Sequence, residues 1–295
     1  MRRFMAHTLD ASLDDLRNDA TPLELVELEP ATRVLNDLEL HAKYLPRRPS
    51  LLPRLMSALH SDSNSMREIA KIIGEDGTLL NGLLKLANST AYRTSGNKPI
   101  DSLEKAVALV GTDGLRSLVA TALLHPVMTG TRGPFSSFAE ATWEHSQYAA
   151  SCAELHAARI ERADAFSARL LVLLLGLASN AVFRIVREQC LAIKAIRPIA
   201  MAKLLDDWVP PTALRIAGNW QLPVELCKVL SASAVTGLGR SLRFGRLAGA
   251  LLVLANRGHI RELSARAIVL ADDHRREQVD RLWSRLAIMH LTATR

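Results

Sequence analysis

The chain has 295 residues, of which 48% are hydrophobic, 23% are charged and only 4% are aromatic. This composition excludes wholesale disorder and favours a globular protein built from helices packed on helices. The N-terminus has basic residues but no long apolar segment behind them, so we expect no secretory signal and a cytoplasmic protein. The three cysteines, Cys152, Cys190 and Cys227, show no CxxC spacing, which argues against a disulfide framework and against a zinc site.

Residues 1–44 carry weak helical signals that Pro22 and Pro30 interrupt. We predict an N-terminal extension that is ordered only in part. This segment holds nine acidic residues against five basic ones, whereas residues 241–295 hold ten arginines and no lysine. The asymmetry fits either a nucleic-acid face or two chain ends that attract each other.

Residues 45–128 contain start and stop signals that predict five short helices. The segment from Leu45 to Pro49 is a rigid extended lead-in, since each proline restrains the residue before it. Capping boxes follow at Ser65 and at Ser102, and Gly111 ends a helix before another begins. No segment shows the alternation of a strand, so we predict an all-α fold.

The segment 165–183 contains the most apolar run of the chain. From Leu170 to Leu175 the sequence is apolar on every side of a helix, which is typical of a core or of a membrane. The apolar block ends at Ser179 and is too short to span about 30 Å of hydrocarbon. We therefore predict the central buried helix of a soluble protein, with a long helix from Ser136 or Ser137 as its partner and no membrane.

The remainder of the chain is predicted to be helical as well. Two short helices are expected at 200–205 and 211–217, the second beginning at Pro211. Three arginine-rich helices follow at about 240–256, 262–271 and 274–291. Their arginines alternate with acidic residues at helical spacing, which is typical of a solvated helix face.

Six sequence blocks, in this order, resemble the HDOD family, the HD-related output domain of bacterial signalling proteins. The blocks are Leu45-Pro46-x-x-Pro49, Ile69-Ala70-x-x-Ile73-x-x-Asp76, Leu83-Leu84-x-x-x-Asn88-Ser89-x-x-Tyr92, Ile100-x-Ser102-x-x-x-Ala106-x-x-Leu109-x-Gly111, Trp143-x-His145-Ser146 and Trp220-x-Leu222-Pro223. The resemblance implies a two-lobed helical fold related to HD phosphohydrolases and a role in signalling.

The resemblance also implies a domain organisation. An HDOD domain at 45–235 would consist of an N-terminal lobe at 45–128 and an HD-like lobe at 135–235. Residues 1–44 would be an N-terminal extension, and the arginine-rich helices at 236–295 would pack on the HD-like lobe.

The metal chemistry of HD enzymes is missing from this sequence. The resemblance aligns their His-Asp metal pair with Val172 and Leu173, and neither side chain can bind a hard or borderline cation. His145 survives alone, and we interpret it as a hydrogen-bonded core or cleft histidine. The chain also has no GxSxG, HExxH, P-loop or GxGxxG motif. We expect no metal and no cofactor.

These observations predict a non-catalytic regulatory protein that binds a signalling protein or a small signalling molecule. The candidate contact residues are Asn88, Ser89, Tyr92, Arg93 and His145, although Asn88-Ser89 is also typical of a helix end. Two alternatives stay open. One is an HD-type phosphohydrolase with unrecognised ligands, and the other is a nucleic-acid-binding regulator that uses the C-terminal arginines. The oligomeric state is not predicted.

Overall fold

The computed structural model describes residues 2–9, 11–17, 19–38, 43–46, 51, 53–54, 65–75, 77–88, 99–128, 136–190, 196–232 and 236–291. These residues form α-helices and short helical turns with no β-strand among them, so the all-α prediction is confirmed. In chain order the helices are α1 Arg2–Thr8, α2 Pro22–Val26, α3 Glu29–Asn36, α4 Ser65–Gly74, α5 Gly77–Ala87, α6 Leu103–Met128, α7 Ser136–His156, α8 Ala165–Gln189, α9 Pro198–Asn219, α10 Val224–Ala232, α11 Gly237–Asn256, α12 Glu262–Asp272 and α13 Arg276–His290.

The chain divides into two compact units. The first unit combines Met1–Pro46 with Val127–Arg295, and the second is Arg47–Pro126. The second unit has its own core, in which α4, α5 and α6 bury their apolar faces together. The fully buried members of this core include Ile69, Ile73, Leu83, Leu115 and Leu118. At Gly111 the backbone of α6 is not helical, with φ +70° and ψ −175°, which agrees with the helix end predicted there.

The centre of the first unit is α8, as its all-round apolar sequence predicted. Every residue from Phe166 to Ala178 is buried. Asp164 caps the helix by accepting a hydrogen bond from the Ser167 amide at 2.7 Å. By length and composition α8 is apolar enough to cross a membrane, but 83% of its most apolar window is buried inside the protein. This burial is that of a core helix.

Helix α9 corrects the prediction of two short helices at 200–205 and 211–217. The structure has one continuous helix that contains both Pro210 and Pro211. A proline inside a helix removes one backbone hydrogen bond. Here Leu205, Val209 and Ala213 are buried on both sides of the prolines, and α9 packs against α8. Tertiary packing therefore holds together a helix that the local signals divide.

The close packing of α7 and α11 depends on two glycines. A Cβ atom on Gly245 would lie 2.5 Å from the Ala149 carbonyl oxygen, and one on Gly249 would lie 2.5 Å from the Ala149 amide nitrogen. Side chains larger than hydrogen at these positions would collide with the α7 backbone. The C-terminal helix α11 is thus in intimate contact with α7 in the first unit.

Residues at the N-terminus also pack into the first unit. Phe4, Leu9 and Leu35 are buried, and the Arg215 guanidinium donates to the carbonyl oxygens of Leu35 and Asn36 at 2.6 and 3.1 Å. The short helices α1 and α3 contribute only a few apolar side chains each, which explains why their sequence signal is weak.

Candidate functional site

The floor of the candidate site consists of aliphatic side chains of α8. Val172 and Leu173, at the positions that the resemblance aligns with a metal pair, are 2% and 0% exposed. Val172 lines a cavity of about 330 Å³ together with Leu175 and Gly176 of the same helix. Nowhere among the described residues do three or more His, Cys, Asp or Glu side chains come together as metal ligands. The donor set present at this floor does not fit a catalytic metal.

His145 lies on α7 and lines the same cavity. Its Nε2–H donates to the backbone carbonyl of Arg246 on α11 at 3.0 Å, and the Phe4 ring lies 4.5 Å from the imidazole centroid. A carbonyl oxygen can only accept, so the proton is on Nε2 and Nδ1 is the acceptor nitrogen. Burial lowers the pKa of His145 to about 4, against the opposing effect of this hydrogen bond. The imidazole is therefore neutral near pH 7.

Two charged side chains line the cavity from other helices. Arg246 of α11 is partly buried, and this burial lowers its pKa while the charge of Asp206 acts in the opposite direction. Asp206 belongs to α9 and is exposed. Within the described ranges no carboxylate oxygen lies within 4 Å of the Arg246 guanidinium. Arg246 is thus a cation in the cavity without a close counter-ion.

Three of the four hydroxyl groups that line the cavity already donate their protons to the protein. The hydroxyls of Thr8, Ser146 and Ser179 donate to the carbonyl oxygens one helical turn earlier, at 2.8, 2.7 and 2.9 Å. The rest of the wall is mostly apolar. Its apolar members are Phe4, Met5, Phe138, Leu175, Leu205, Val209 and Pro210. The cavity therefore combines apolar walls, several acceptor atoms and one cationic donor.

Sequence reasoning identified His145 and Val172 but missed Phe4, Asp206 and Arg246. No motif marks these three residues, because their proximity arises from the packing of α1, α9 and α11. One signal was present for Arg246, which interrupts the apolar stretch from Phe244 to Leu254. A charge inside such a stretch on a helix can indicate a functional position.

The remaining predicted contact residues belong to the second unit. The side-chain amide of Asn88 donates to the carbonyl oxygens of Leu84 and Ile100 at 2.8 and 2.7 Å, and its Oδ1 accepts from the Ile100 amide at 2.9 Å. Asn88 therefore ties the end of α5 to the segment before α6. Ser89, Tyr92 and Arg93 lie outside the described residues.

The C-terminal arginines lie largely in ion pairs with protein carboxylates. Arg266 makes a bidentate pair with Asp280, both contacts being 2.6 Å. Glu161, whose side chain is 3% exposed, accepts from Arg240 at 2.5 Å and also from Arg275. Further pairs join Arg243 to Asp272, Arg257 to Glu144 and Arg281 to Glu277. The acidic partners neutralise much of the local positive charge.

These features define a class: an all-α protein whose central apolar helix forms the floor of a small cavity. Within this class the chain belongs to the HDOD domain family, which matches residues 45–234. None of the curated proteins matches the chain.

Solved structures below 20% identity share the fold. A Shewanella amazonensis SB2B protein provisionally named a metal-dependent phosphohydrolase has 17% identity and a TM-score of 0.54, and the match covers 89% of this chain and 99% of that chain. An HDOD domain protein of unknown function from Geobacter sulfurreducens has 19% identity and a TM-score of 0.59, with 87% of this chain and 89% of that chain covered. A Marinobacter aquaeolei VT8 protein provisionally named a signal transduction protein has 17% identity and a TM-score of 0.54, with 90% of this chain and 64% of that chain covered.

Proposed function

We propose that this HDOD protein is a non-catalytic regulator in bacterial signal transduction, which acts in the cytoplasm by binding a partner protein or a small signalling ligand. The observation that carries the proposal is the pair Val172 and Leu173, buried where an HD enzyme would need metal ligands. A metal-activated water needs several nitrogen or oxygen ligands in fixed positions. One neutral imidazole above a floor of aliphatic side chains does not supply them.

The relatives support two different functions. The name of the Marinobacter protein points to signalling, and that of the Shewanella protein points to phosphate-ester hydrolysis. The residues of the cavity favour the first, since Val172 and Leu173 are aliphatic and His145 is the one imidazole among its lining residues. We infer that the cavity was retained for recognition rather than for hydrolysis.

A hydrolysis assay tests this proposal. The purified chain is incubated with cyclic dinucleotides and with nucleoside mono- and triphosphates, in the presence of Mn²⁺ or Mg²⁺, and products are separated by chromatography. We expect no turnover above the buffer control. Metal-dependent turnover that disappears in His145→Ala, but persists in the control variant His274→Ala, would overturn the proposal and establish the phosphohydrolase alternative.

A further inference from the structure

The cavity above Val172 contains a positive charge that the protein does not neutralise at close range. Arg246 is partly buried there, and in the part of the chain that the structure describes its guanidinium has no hydrogen-bond acceptor and no carboxylate within 4 Å. A desolvated cation without a partner costs free energy. The site would therefore gain stability from an anion.

The donors and acceptors around Arg246 determine which charge a ligand must carry. The hydroxyls of Ser146 and Ser179 donate to backbone carbonyls, and the Nε2–H of His145 donates to the Arg246 carbonyl. These groups can accept hydrogen bonds from a ligand, but they cannot stabilise a negative charge. The guanidinium of Arg246 is suited to that role, because its planar fork can make two parallel bonds to a carboxylate or a phosphate.

Asp206 is the one acidic side chain among the lining residues of this cavity. The residue is exposed, although partial burial of the carboxyl group raises its pKa, and its negative charge would repel an anion. The acid group of a ligand is thus expected next to Arg246 and away from Asp206.

The walls and the volume limit the rest of the ligand. Phe4, Phe138, Leu205 and Val209 present apolar surface to the cavity. Its volume of about 330 Å³ is near the lower end of the range of about 300–1,000 Å³ for small-molecule sites. A compact apolar body matches these walls.

We propose that the cavity binds a small organic acid whose carboxylate or phosphate head pairs with Arg246 and whose apolar body packs against the aromatic and aliphatic wall. This inference rests on the proposed function, since it takes the cavity as a recognition site. It also suggests a path for the signal. Phe4, Met5 and Thr8 of α1 form part of the wall, so an occupied cavity would hold α1 more firmly in place.

The test is calorimetric titration of the full chain with benzoate, octanoate and phenyl phosphate, and with the neutral compounds benzyl alcohol and octanol as controls. At least one acid is expected to bind with a Kd below about 1 mM, the weak end of specific affinity. Hydrogen exchange of residues 2–9 should slow when that acid is bound. The neutral compound of the same shape should bind more weakly.

Variants on α11 identify the charged group. Arg246→Gln removes the charge but keeps the backbone carbonyl that accepts from His145, and it should weaken acid binding by about ten- to a hundredfold. Arg246→Lys should retain part of the affinity. Arg243→Gln is the matched control, because Arg243 is exposed and pairs with Asp272 at 2.5 Å on the same helix. Its substitution should change nothing.

Each outcome decides the inference. No binding of any acid by a folded wild-type chain would overturn it, and so would equal binding by Arg246→Gln or equal binding of the neutral compounds. These failures leave the proposed function intact, since a protein partner could still be recognised elsewhere. Failure of the proposed function appears instead in the separate hydrolysis assay.

Discussion

His145 and Arg246 are 101 residues apart in sequence and are joined by a 3.0 Å hydrogen bond from the imidazole Nε2–H to the arginine carbonyl oxygen. The bond connects α7 to α11 across the helix contact that Gly245 and Gly249 allow. It uses Nε2 of the imidazole and leaves Nδ1 as the acceptor nitrogen. A residue that resembles a surviving ligand thus serves the packing of a C-terminal helix.

The partly buried imidazole of His145 predicts a pH dependence of stability. Its pKa is about 4 in the folded protein, below the ordinary value of 6.5, because burial disfavours the charged form. Between these values the unfolded chain binds a proton that the folded chain does not, so stability falls as the pH is lowered. The contribution is about 1.4 kcal/mol per pH unit.

The variant His145→Gln isolates this contribution, since glutamine can still donate to the Arg246 carbonyl. We expect its unfolding free energy, measured by urea titrations between pH 6.5 and 4.5, to fall less steeply with decreasing pH than that of the wild type. The difference in slope should correspond to about one proton taken up on unfolding. His290, whose pKa burial also lowers to about 4, keeps its own contribution in both proteins. Equal slopes for variant and wild type would contradict the assignment of His145 as a neutral imidazole with a lowered pKa.

The α7–α11 contact predicts opposite effects for two glycine substitutions. Gly249→Ala should destabilise the protein by about 1–3 kcal/mol, because the new Cβ would lie 2.6 Å from the Ala149 Cα. Gly218→Ala, near the end of α9, should be neutral or stabilising by up to about 1 kcal/mol, since nothing lies within 4 Å of the added atom. Thermal unfolding followed by circular dichroism measures both. A Gly249→Ala protein as stable as Gly218→Ala would disprove the close approach.

Glu161 is expected to be a major electrostatic contributor to stability. Hydrogen bonds from Arg240, with further help from Arg275, lower the pKa of this carboxyl group to about 2. Since the pKa is lowered on folding, the stabilisation is present above the ordinary value of 4.5 and is lost as the pH falls towards 2. Glu161→Gln should destabilise the protein by about 1–3 kcal/mol at pH 7, because Arg240 loses its carboxylate partner and Arg275 keeps only Asp273.

Glu277→Gln provides the matched control for Glu161. Glu277 also pairs with an arginine, but both side chains are exposed at 81% and 73%. Urea denaturation should show no measurable change, since exposed ion pairs contribute little. Similar losses in the two variants would show that the burial of Glu161 is not what makes its pairs strong.

Nucleic-acid binding through the C-terminal arginines stays an alternative that mobility-shift experiments can decide. Arg243, Arg257, Arg266, Arg275 and Arg281 are engaged with carboxylates. We expect no shift of duplex DNA or single-stranded RNA at about 50 mM salt, where counterion release favours binding most. A shift that weakens steeply with added salt, and that Arg261→Gln or Arg276→Gln reduces, would revive the alternative.

Local sequence signals predicted the elements with strong, self-contained patterns. Helix α8 is apolar on every face, and burial is the single arrangement that suits such a helix in water. Gly111 breaks α6 because its backbone adopts a positive φ that glycine tolerates. The prediction of two short helices around the prolines of α9 was wrong, because packing against α8 outweighs the backbone hydrogen bonds that the prolines remove.

The candidate site could be predicted only in part. The loss of metal ligands at Val172 and Leu173 is visible in the sequence once the family resemblance aligns these positions. The cavity itself depends on Phe4, Asp206 and Arg246, which come from three helices far apart in the chain. These residues come together through helix packing, which depends for example on the absence of side chains at Gly245 and Gly249. Local sequence patterns carry no information about such packing.

Metal titration tests the central claim most directly. The chain is stripped with a chelator, dialysed against Mn²⁺, Zn²⁺ or Fe²⁺ under reducing conditions, and analysed by mass spectrometry for metal content. The account predicts a content far below one ion per chain, equal in the wild type and in His145→Ala. A stoichiometric ion in the wild type that is lost in His145→Ala would contradict it.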